Sequence, residues 1–294
     1  MHGGDLPAPA GVADRPVTSA GLPLLEARSL SKVYPSRGGR PAPAAALEGV
    51  DVTVRQGECL GVVGESGAGK TTLAICLAGL MSPSSGSVTY RGAQLWDGGR
   101  PRVPRVHGIQ IVFQDPASSL NPRRTVGSVL AEILAVHRLR PRADIPARVR
   151  ELLGLVGLDA EIARRRPGRL SGGQQQRVAI ARALAFEPEL VIADEIVSAL
   201  DASVQAQILN LLADLRSDLG LSIVLVTHDM SVARHLCDRI IVMRTGRIVE
   251  TGLAERVLLH PAHPYTQELL RAVPRLHDRP EPGPPPAEPS GAAS

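Results

Sequence analysis

The sequence predicts an α/β fold built around a parallel sheet, and two kinds of segment support this prediction. Short, mainly apolar runs have the length and composition of strands that are buried on both faces of a sheet. These runs are Cys59–Val63, Ile109–Phe113, Leu190–Ala193, Ser222–Thr227 and Arg239–Met243. Segments with helical periodicity follow several of them, at Lys70–Leu80, Gln174–Ala185, Ser203–Leu219 and Met230–Cys237. Because strands that alternate with helices form parallel βαβ units, we expect a parallel sheet with helices packed on it.

One folded domain is expected over residues 23–275, with a disordered segment on either side. Residues 1–22 are rich in Gly, Pro and Ala, residues 276–294 are rich in Pro, and neither segment has a periodic pattern. The Arg-rich span 116–170 interrupts the alternation of strands and helices. Because its own period is helical, it predicts an inserted helical lobe. Residues 253–275 predict a C-terminal helical extension.

The composition excludes several classes of protein. Aromatic residues make up 2% of the chain, too few for a surface that stacks on bases, so we expect no nucleic-acid partner. Cys59, Cys76 and Cys237 are far apart and lack the spacing of a zinc site, which suits a reducing cytoplasm. No apolar run approaches the roughly 20 residues of a membrane span, and the N-terminus lacks the apolar core of a signal peptide. We therefore expect a cytoplasmic protein that contacts a membrane only through partners.

Residues 64–71, Gly-Glu-Ser-Gly-Ala-Gly-Lys-Thr, fit the pattern GxxxxGK[ST] between a predicted strand and a predicted helix. This is the context of a Walker A phosphate-binding loop, in which glycines let backbone N–H groups point at the phosphates. Lys70, one of two lysines in a chain of net charge +4, would reach the β and γ phosphates, and Thr71 offers a hydroxyl to Mg²⁺. The predicted nucleotide-binding residues here are Gly64, Ser66, Gly67, Gly69, Lys70, Thr71 and Thr72.

Two carboxylates, Asp194 and Glu195, follow the apolar run Leu190–Ala193. The carboxyl end of a strand beside the phosphate loop is where an open α/β sheet binds its ligand. Asp194 is suited to hold Mg²⁺, usually through water, and Glu195 to polarise the attacking water as a general base. Two carboxylates after an apolar run are weak evidence for a catalytic site on their own. The phosphate loop earlier in the chain strengthens this interpretation.

A second glycine-rich segment, Leu-Ser-Gly-Gly-Gln-Gln-Gln-Arg, occupies residues 170–177. Ser171 and Gln174 have the spacing of a capping box, so a helix is expected to begin here with an anion site at its N-terminus. The segment resembles the signature motif of ABC-type ATPases, and the resemblance covers residues 24–275. It implies that Ser171, Gly172, Gly173 and Gln174 bind ATP held by the opposing subunit, so that closing a dimer completes each site.

The same resemblance assigns four further residues. Tyr34 matches the aromatic residue that stacks on adenine, and Gln114 matches the glutamine that senses Mg²⁺ and water and touches the permease. Residues 198–201, Ser-Ala-Leu-Asp, match the D-loop, in which Asp201 is expected to bind the nucleotide. His228 matches the switch histidine near the γ-phosphate. We therefore expect Glu195, His228 and Gln114 to be catalytic, and Thr71, Gln114 and Asp194 to hold the metal.

One departure from the family pattern follows Glu195. Many relatives carry proline at the next position, whereas Ile196 and Val197 stand here. We expect the catalytic carboxylates to be retained with a changed local turn, which affects the rate more than the mechanism.

Two segments narrow the resemblance to ATPase subunits of dipeptide, oligopeptide and nickel importers. They are residues 114–127, which include Ser-Leu-Asn-Pro-Arg, and residues 263–270, which begin His-Pro-Tyr-Thr-Gln. The cysteine cluster that holds an iron–sulfur centre in some members is absent after Cys237. We therefore expect no such centre.

The interpretation is a P-loop NTPase of the ABC ATPase type, with an antiparallel β lobe and a helical lobe beside its parallel-sheet core. It implies an ATP- and Mg²⁺-dependent motor at the cytoplasmic face of the cell membrane. Its partners would be two transmembrane permease subunits, a second ATPase subunit (a homologue or a second copy) and, indirectly, an extracytoplasmic solute-binding protein. A soluble ABC ATPase of a multi-enzyme complex, such as one for phosphonate breakdown, is the alternative. The sequence does not identify the solute.

Overall fold

A computed structural model describes residues 23–34, 45–97, 100–101 and 107–272. The two segments predicted to be disordered, 1–22 and 276–294, lie outside these described residues. The strands are β1 Leu25–Val33, β2 Ala45–Val54, β3 Cys59–Val63, β4 Ser85–Tyr90, β5 Ala93–Asp97, β6 Arg100–Pro101, β7 Ile109–Val112, β8 Leu190–Asp194, β9 Ser222–Thr227, β10 Arg239–Arg244 and β11 Arg247–Leu253. The helices are α1 Lys70–Leu77, α2 Pro116–Ser119, α3 Val126–Val136, α4 Ile145–Leu155, α5 Gly172–Leu184, α6 Ala202–Leu219, α7 Met230–Leu236, α8 Ala254–Leu259 and α9 Pro264–Ala272.

The main sheet has six strands in the order β11-β10-β3-β9-β8-β7. Its pairs from β10 to β7 are all parallel, and only β11 pairs in the antiparallel sense. A second sheet, in the order β2-β1-β4-β5-β6, is antiparallel throughout. The predicted fold class, with its parallel core and antiparallel β lobe, is therefore confirmed.

The main sheet is covered on both faces, which explains why its strands are almost wholly apolar. Strand β3 directs Cys59 and Val63 into one hydrophobic core and Leu60 and Val62 into the other. The first core includes helices α3 to α7, and the second includes α1 and the antiparallel sheet. The parallel strands β3, β7, β8 and β9 thereby bring their carboxyl ends, which precede the polar residues of the site, to the same edge of the sheet.

The inserted helical lobe is formed by α2, α3 and α4 and two short 3₁₀ turns, Ala160–Arg164 and Pro167–Arg169. Thr125 caps α3 by accepting a hydrogen bond from the Ser128 N–H, and α4 contributes the buried Leu152 and Leu153. The lobe leads directly into α5, so its packing sets where the glycines at the start of α5 lie.

Element boundaries differ from the predicted ones by at most a few residues. Helix α1, predicted to reach Leu80, ends at Leu77 because Gly79 adopts a left-handed conformation with φ 73°. Helix α5 begins at Gly172 rather than Gln174, since Ser171 caps it. Among the residues the structure describes, no helix has both the length and the apolar character of a membrane span.

Candidate active site

The loop between β3 and α1 is packed so tightly that two of its residues must be glycine. A Cβ atom on Gly64 would lie 2.3 Å from the carbonyl oxygen of Met243, and one on Gly69 would lie 2.4 Å from that of Ala46. Both glycines also have positive φ angles, 153° and 100°. Helix α1 begins at Lys70, so its first N–H groups lack intrahelical partners and face the loop. The loop thus has the backbone form of the predicted phosphate cradle.

Lys70 is folded over this loop and is 4% exposed. Its Nζ donates hydrogen bonds to the carbonyl oxygens of Gly64 (2.8 Å) and Glu65 (2.9 Å). The same atom lies 3.6 Å from Oε1 of Glu195. A buried cation surrounded only by oxygen atoms can exchange these partners for phosphate oxygens without losing compensation for its charge.

Thr71 and Asp194 form the candidate metal site. The Thr71 hydroxyl donates to Oδ1 of Asp194 at 3.2 Å, at the carboxyl end of β8. Burial raises the pKa of Asp194, an effect that the Thr71 hydrogen bond and the charge of Lys70 oppose and the charge of Glu195 reinforces. A buried carboxylate of this kind is stabilised by a nearby cation. Hydroxyl and carboxylate oxygens are ligands that Mg²⁺ prefers, so the two residues fit the metal.

The protein alone does not supply a full coordination sphere. Within the described ranges, no group of three or more His, Cys, Asp and Glu side chains is placed to hold a metal ion. Mg²⁺ characteristically binds through one or two carboxylates together with substrate phosphates and water. The donor set therefore suits an ion that enters with a nucleotide.

Glu195 lies at the centre of the catalytic candidates. The Oε2 atom of Glu195 is 3.4 Å from Nδ1 of His228, which follows β9. The side chain of Glu195 is 20% exposed. The two side chains line a cleft of about 420 Å³ together with Glu65, Ser66 and Leu269. The structure therefore brings the predicted base, the predicted switch histidine and the phosphate loop into one cleft.

Gln114 is linked to Glu195 through Ser198, which the sequence pattern placed only within the D-loop. Its Nε2 donates to the hydroxyl of Ser198 at 2.9 Å, and that hydroxyl donates to the Glu195 carbonyl oxygen at 2.9 Å. Ile196 and Val197, which lie between Glu195 and Ser198, are each 2% exposed and belong to the larger hydrophobic core. The turn after Glu195 is thus held by two buried side chains and by Ser198.

Tyr34 lies beside α1 at the end of β1. Its hydroxyl is 3.4 Å from Oγ1 of Thr72 and 3.3 Å from the sulfur of Met81. The residue is 42% exposed, and Nζ of Lys32 lies 5.5 Å from the ring centroid. An exposed ring next to the phosphate loop is available for stacking, and its contact with adenine stays a prediction.

The signature segment and the D-loop pack against each other. Ser171 and Gln174 form the predicted capping box, with Ser171 Oγ accepting from the Gln174 N–H (3.3 Å) and Gln174 Oε1 accepting from the Ser171 N–H (3.1 Å). Asp201 caps α6 by accepting from the Val204 N–H at 2.9 Å. A Cβ atom on Gly173 would lie 2.5 Å from Cγ1 of Val204.

The residues at the start of α5 are separate from those of the phosphate loop. Among the described residues, no hydrogen bond or ion pair joins residues 171–174 to the phosphate loop. Gly172 is exposed at the N-terminus of α5, where backbone N–H groups are open to an anion. The described part of one chain therefore presents two candidate anion sites that no hydrogen bond or ion pair connects.

Two residues of α9 belong to the site although no pattern in the sequence linked them to it. The Tyr265 hydroxyl accepts a hydrogen bond from the Glu65 N–H at 3.2 Å, and Leu269 lines the cleft beside Glu195 and His228. They lie about 200 residues from the phosphate loop in sequence, so only the folded chain shows the contact.

The fold and the site define an ATP-binding cassette within the P-loop nucleotide hydrolases, and comparisons with known proteins agree. Residues 47–198 match the family model described as ABC transporter. Residues 249–291 match the model for the oligopeptide/dipeptide transporter C-terminal region. This chain belongs to the ABC transporter family.

Curated relatives match over most of their length. The dipeptide transport ATP-binding protein DppF of Haemophilus influenzae is 45% identical over 86% of this chain and 79% of its own. DppF of Escherichia coli is 46% identical, and the match covers 87% of this chain and 78% of that protein. The oligopeptide transport ATP-binding protein OppF of Escherichia coli is 43% identical, with 88% and 80% covered.

Solved structures resemble the fold at lower identity. The ATP-binding cassette MJ0796, in a dimeric post-hydrolysis state bound to ADP and Pi, has a TM-score of 0.68 at 30% identity. The match covers 78% of this chain and 98% of that one. The protein cbiO1 from Clostridium perfringens has a TM-score of 0.69 at 30% identity, with 81% and 91% covered.

Proposed function

We propose that this chain is the ATP-hydrolysing motor subunit of an ABC importer for dipeptides or oligopeptides. One observation carries the proposal: a single polypeptide combines a complete candidate site for ATP hydrolysis with the C-terminal region of oligopeptide/dipeptide transporters. The curated relatives named above are transport ATP-binding proteins for these solutes, which supports the peptide class.

ATP binding begins with an exchange of partners at Lys70. In the structure, Lys70 pairs with Glu195 and with loop carbonyls, so both charges are compensated inside the site. Phosphate oxygens compete for Lys70 and leave the Glu195 carboxylate free to accept a proton from water. Thr71 and Asp194 would hold Mg²⁺, which when bound neutralises charge developing on the phosphates.

Glu195 acts as the general base, and its neighbours orient it. His228 is within 3.4 Å of one carboxylate oxygen, and the Gln114–Ser198 pair holds the Glu195 backbone. A base must sit within hydrogen-bond reach of its water, and fixing both ends of Glu195 restricts it to such a position. The cleft of about 420 Å³ beside Glu195 leaves room for such a water.

The second anion site, at Ser171, Gly172 and Gly173, completes the site of an opposing subunit. Residues that are separate within one chain come together when two ATPase subunits close on each other, and closure drives the permease between its states. The opposing subunit is either a homologue or a second copy of this chain. The assembly would include two permease subunits, work at the cytoplasmic face of the membrane and receive solute from an extracytoplasmic binding protein.

Purification of the chain from its native membranes in mild detergent tests the importer. We expect two multi-span permease proteins to copurify with it, together with an ATPase partner. Copurification with soluble enzymes alone would overturn the importer and favour an ATPase of a soluble multi-enzyme complex. Lys70→Ala tests the nucleotide site separately, because unchanged ATP affinity in this variant would contradict the role of the loop.

A further inference from the structure

Helix α9 makes a direct contact with the phosphate loop. Tyr265, at its second residue, is 3% exposed, and its hydroxyl accepts a hydrogen bond from the Glu65 N–H at 3.2 Å. One to two turns further along, Leu269 forms part of the wall of the cleft that contains Glu195. The C-terminal region is therefore part of the boundary of the nucleotide site.

The Tyr265 contact falls on the peptide unit that also holds Lys70. The carbonyl oxygen of Gly64 and the N–H of Glu65 belong to one peptide group, and in a trans peptide they point in opposite directions. The carbonyl accepts from Nζ of Lys70 at 2.8 Å, while the N–H donates to Tyr265 at 3.2 Å. This peptide is thus fixed from the inside by lysine and from the outside by tyrosine.

Tyr265 is itself held in place by its surroundings. Its own N–H donates to Nδ1 of His263 at 3.1 Å, and the His263 N–H donates to the Glu250 carboxylate at 3.0 Å. On the other side, the guanidinium of Arg244 lies 4.7 Å from the ring centroid. Burial raises the pKa of Tyr265, so its hydroxyl stays protonated at neutral pH. A side chain fixed in this way can restrain a loop rather than follow it.

We propose that Tyr265 is a positioning residue of the nucleotide site, through which the C-terminal region holds the phosphate loop in its ATP-receiving shape. The inference rests on the proposed ATPase function. When Lys70 turns to the phosphates, the Gly64 and Glu65 carbonyls lose their lysine contacts. The hydrogen bond to Tyr265 is then the one that remains on the peptide group between Gly64 and Glu65. The hydroxyl therefore contributes more to the ATP-bound state than to the empty one.

Tyr265→Phe tests the proposal because it removes the hydroxyl and keeps the ring that Arg244 covers. We expect its affinity for Mg-ATP to weaken, and its KM for ATP in the assembled importer to rise, by about two- to fivefold. This is less than the full effect of one lost hydrogen bond because the bond already exists before ATP binds. The kcat should change by less than about twofold, since Glu195 is not touched. Hydrogen exchange at residues 64–70 in the ATP-bound protein should become faster.

Tyr90→Phe is the matched control. It makes the same change in the buried Tyr90 of β4, whose hydroxyl makes no hydrogen bond to the described phosphate loop. This variant should retain wild-type KM and loop exchange. If Tyr265→Phe binds ATP as the wild type does, or lowers kcat at unchanged KM, the positioning role is wrong while the ATPase function stands. If the wild type itself binds no ATP, both the inference and the proposed function are wrong.

Discussion

Replacement of Glu195 by glutamine separates the hydrolysis step from ATP binding. The amide keeps the size of the side chain but cannot take a proton from water, and it removes the negative charge that lies 3.6 Å from Nζ of Lys70. The contact with His228 at 3.4 Å also loses its charge. The carbonyl of residue 195 still accepts the Ser198 hydroxyl, so the turn should keep its form.

The two consequences have opposite signs. Loss of a positioned general base lowers kcat by about 10²- to 10⁴-fold. Loss of the carboxylate removes a competitor for Lys70, whose attraction at 3.6 Å is no more than about 5 kcal/mol at an effective dielectric constant near 20. Part of that attraction is replaced by water, because Glu195 is 20% exposed. ATP affinity should therefore be equal to that of the wild type or tighter.

The assay compares ATP turnover by the purified importer with ATP retained on the same protein after rapid removal of free nucleotide. The Glu195→Gln complex should retain ATP and release almost no phosphate. Glu151→Gln is the control, since this residue of α4 has an exposed side chain and its described ion pair is with Arg148, and pairs with an exposed carboxylate contribute little. Turnover by Glu195→Gln within a few-fold of the wild type would refute the assignment of Glu195 as the base.

Three further predictions concern the loop, the metal site and stability. Gly64→Ala should abolish ATP binding, since its Cβ would lie 2.3 Å from a backbone oxygen. Gly67→Ala has open space around its Cβ and only the strain of a φ of 82°, so it should lose less; equal losses by filter binding would contradict this. Asp194→Asn should raise the Tm of the nucleotide-free protein at neutral pH, since the raised pKa means that ionised Asp194 is disfavoured by folding. That gain should vanish below the ordinary Asp pKa of about 3.9, where the wild-type side chain is protonated in both states, and a gain that persists there would have another origin. Gly154→Ala, on the exposed side of α4 with nothing near its Cβ, should stabilise the protein by about 0.5–1 kcal/mol in urea unfolding; destabilisation would show that the site is not free.

Local patterns in the sequence were sufficient for the fold class and for the two glycine-rich segments. The strands of the main sheet are buried on both faces, which makes them apolar and easy to recognise. The capping box at Ser171 and Gln174 is a short-range pattern, and the structure confirms it. The catalytic and binding roles of the predicted site residues stay predictions.

Contacts between distant segments could not be read from the sequence. Tyr265 and Glu65 are 200 positions apart, and the distance between them depends on how Tyr265 packs against Arg244 at the end of β10. Ser198 likewise gains its place between Gln114 and Glu195 from the meeting of two separate segments, the end of β7 and the turn after β8. Hydroxyl groups at such positions have no periodicity or spacing that distinguishes them from ordinary surface serines and tyrosines.

The turn after Glu195 shows how packing can replace a local constraint. A proline there would limit the backbone of the unfolded chain, an effect of at most about 1 kcal/mol. Ile196 and Val197 are instead buried to 2% exposure, and full burial of such a side chain contributes about 1.5–3 kcal/mol. Because both side chains belong to the core that also contains the helical lobe, the position of Glu195 depends on how that lobe is packed. A movement of the lobe on dimer closure would therefore reach the base through Ile196 and Val197 as well as through Gln114 and Ser198.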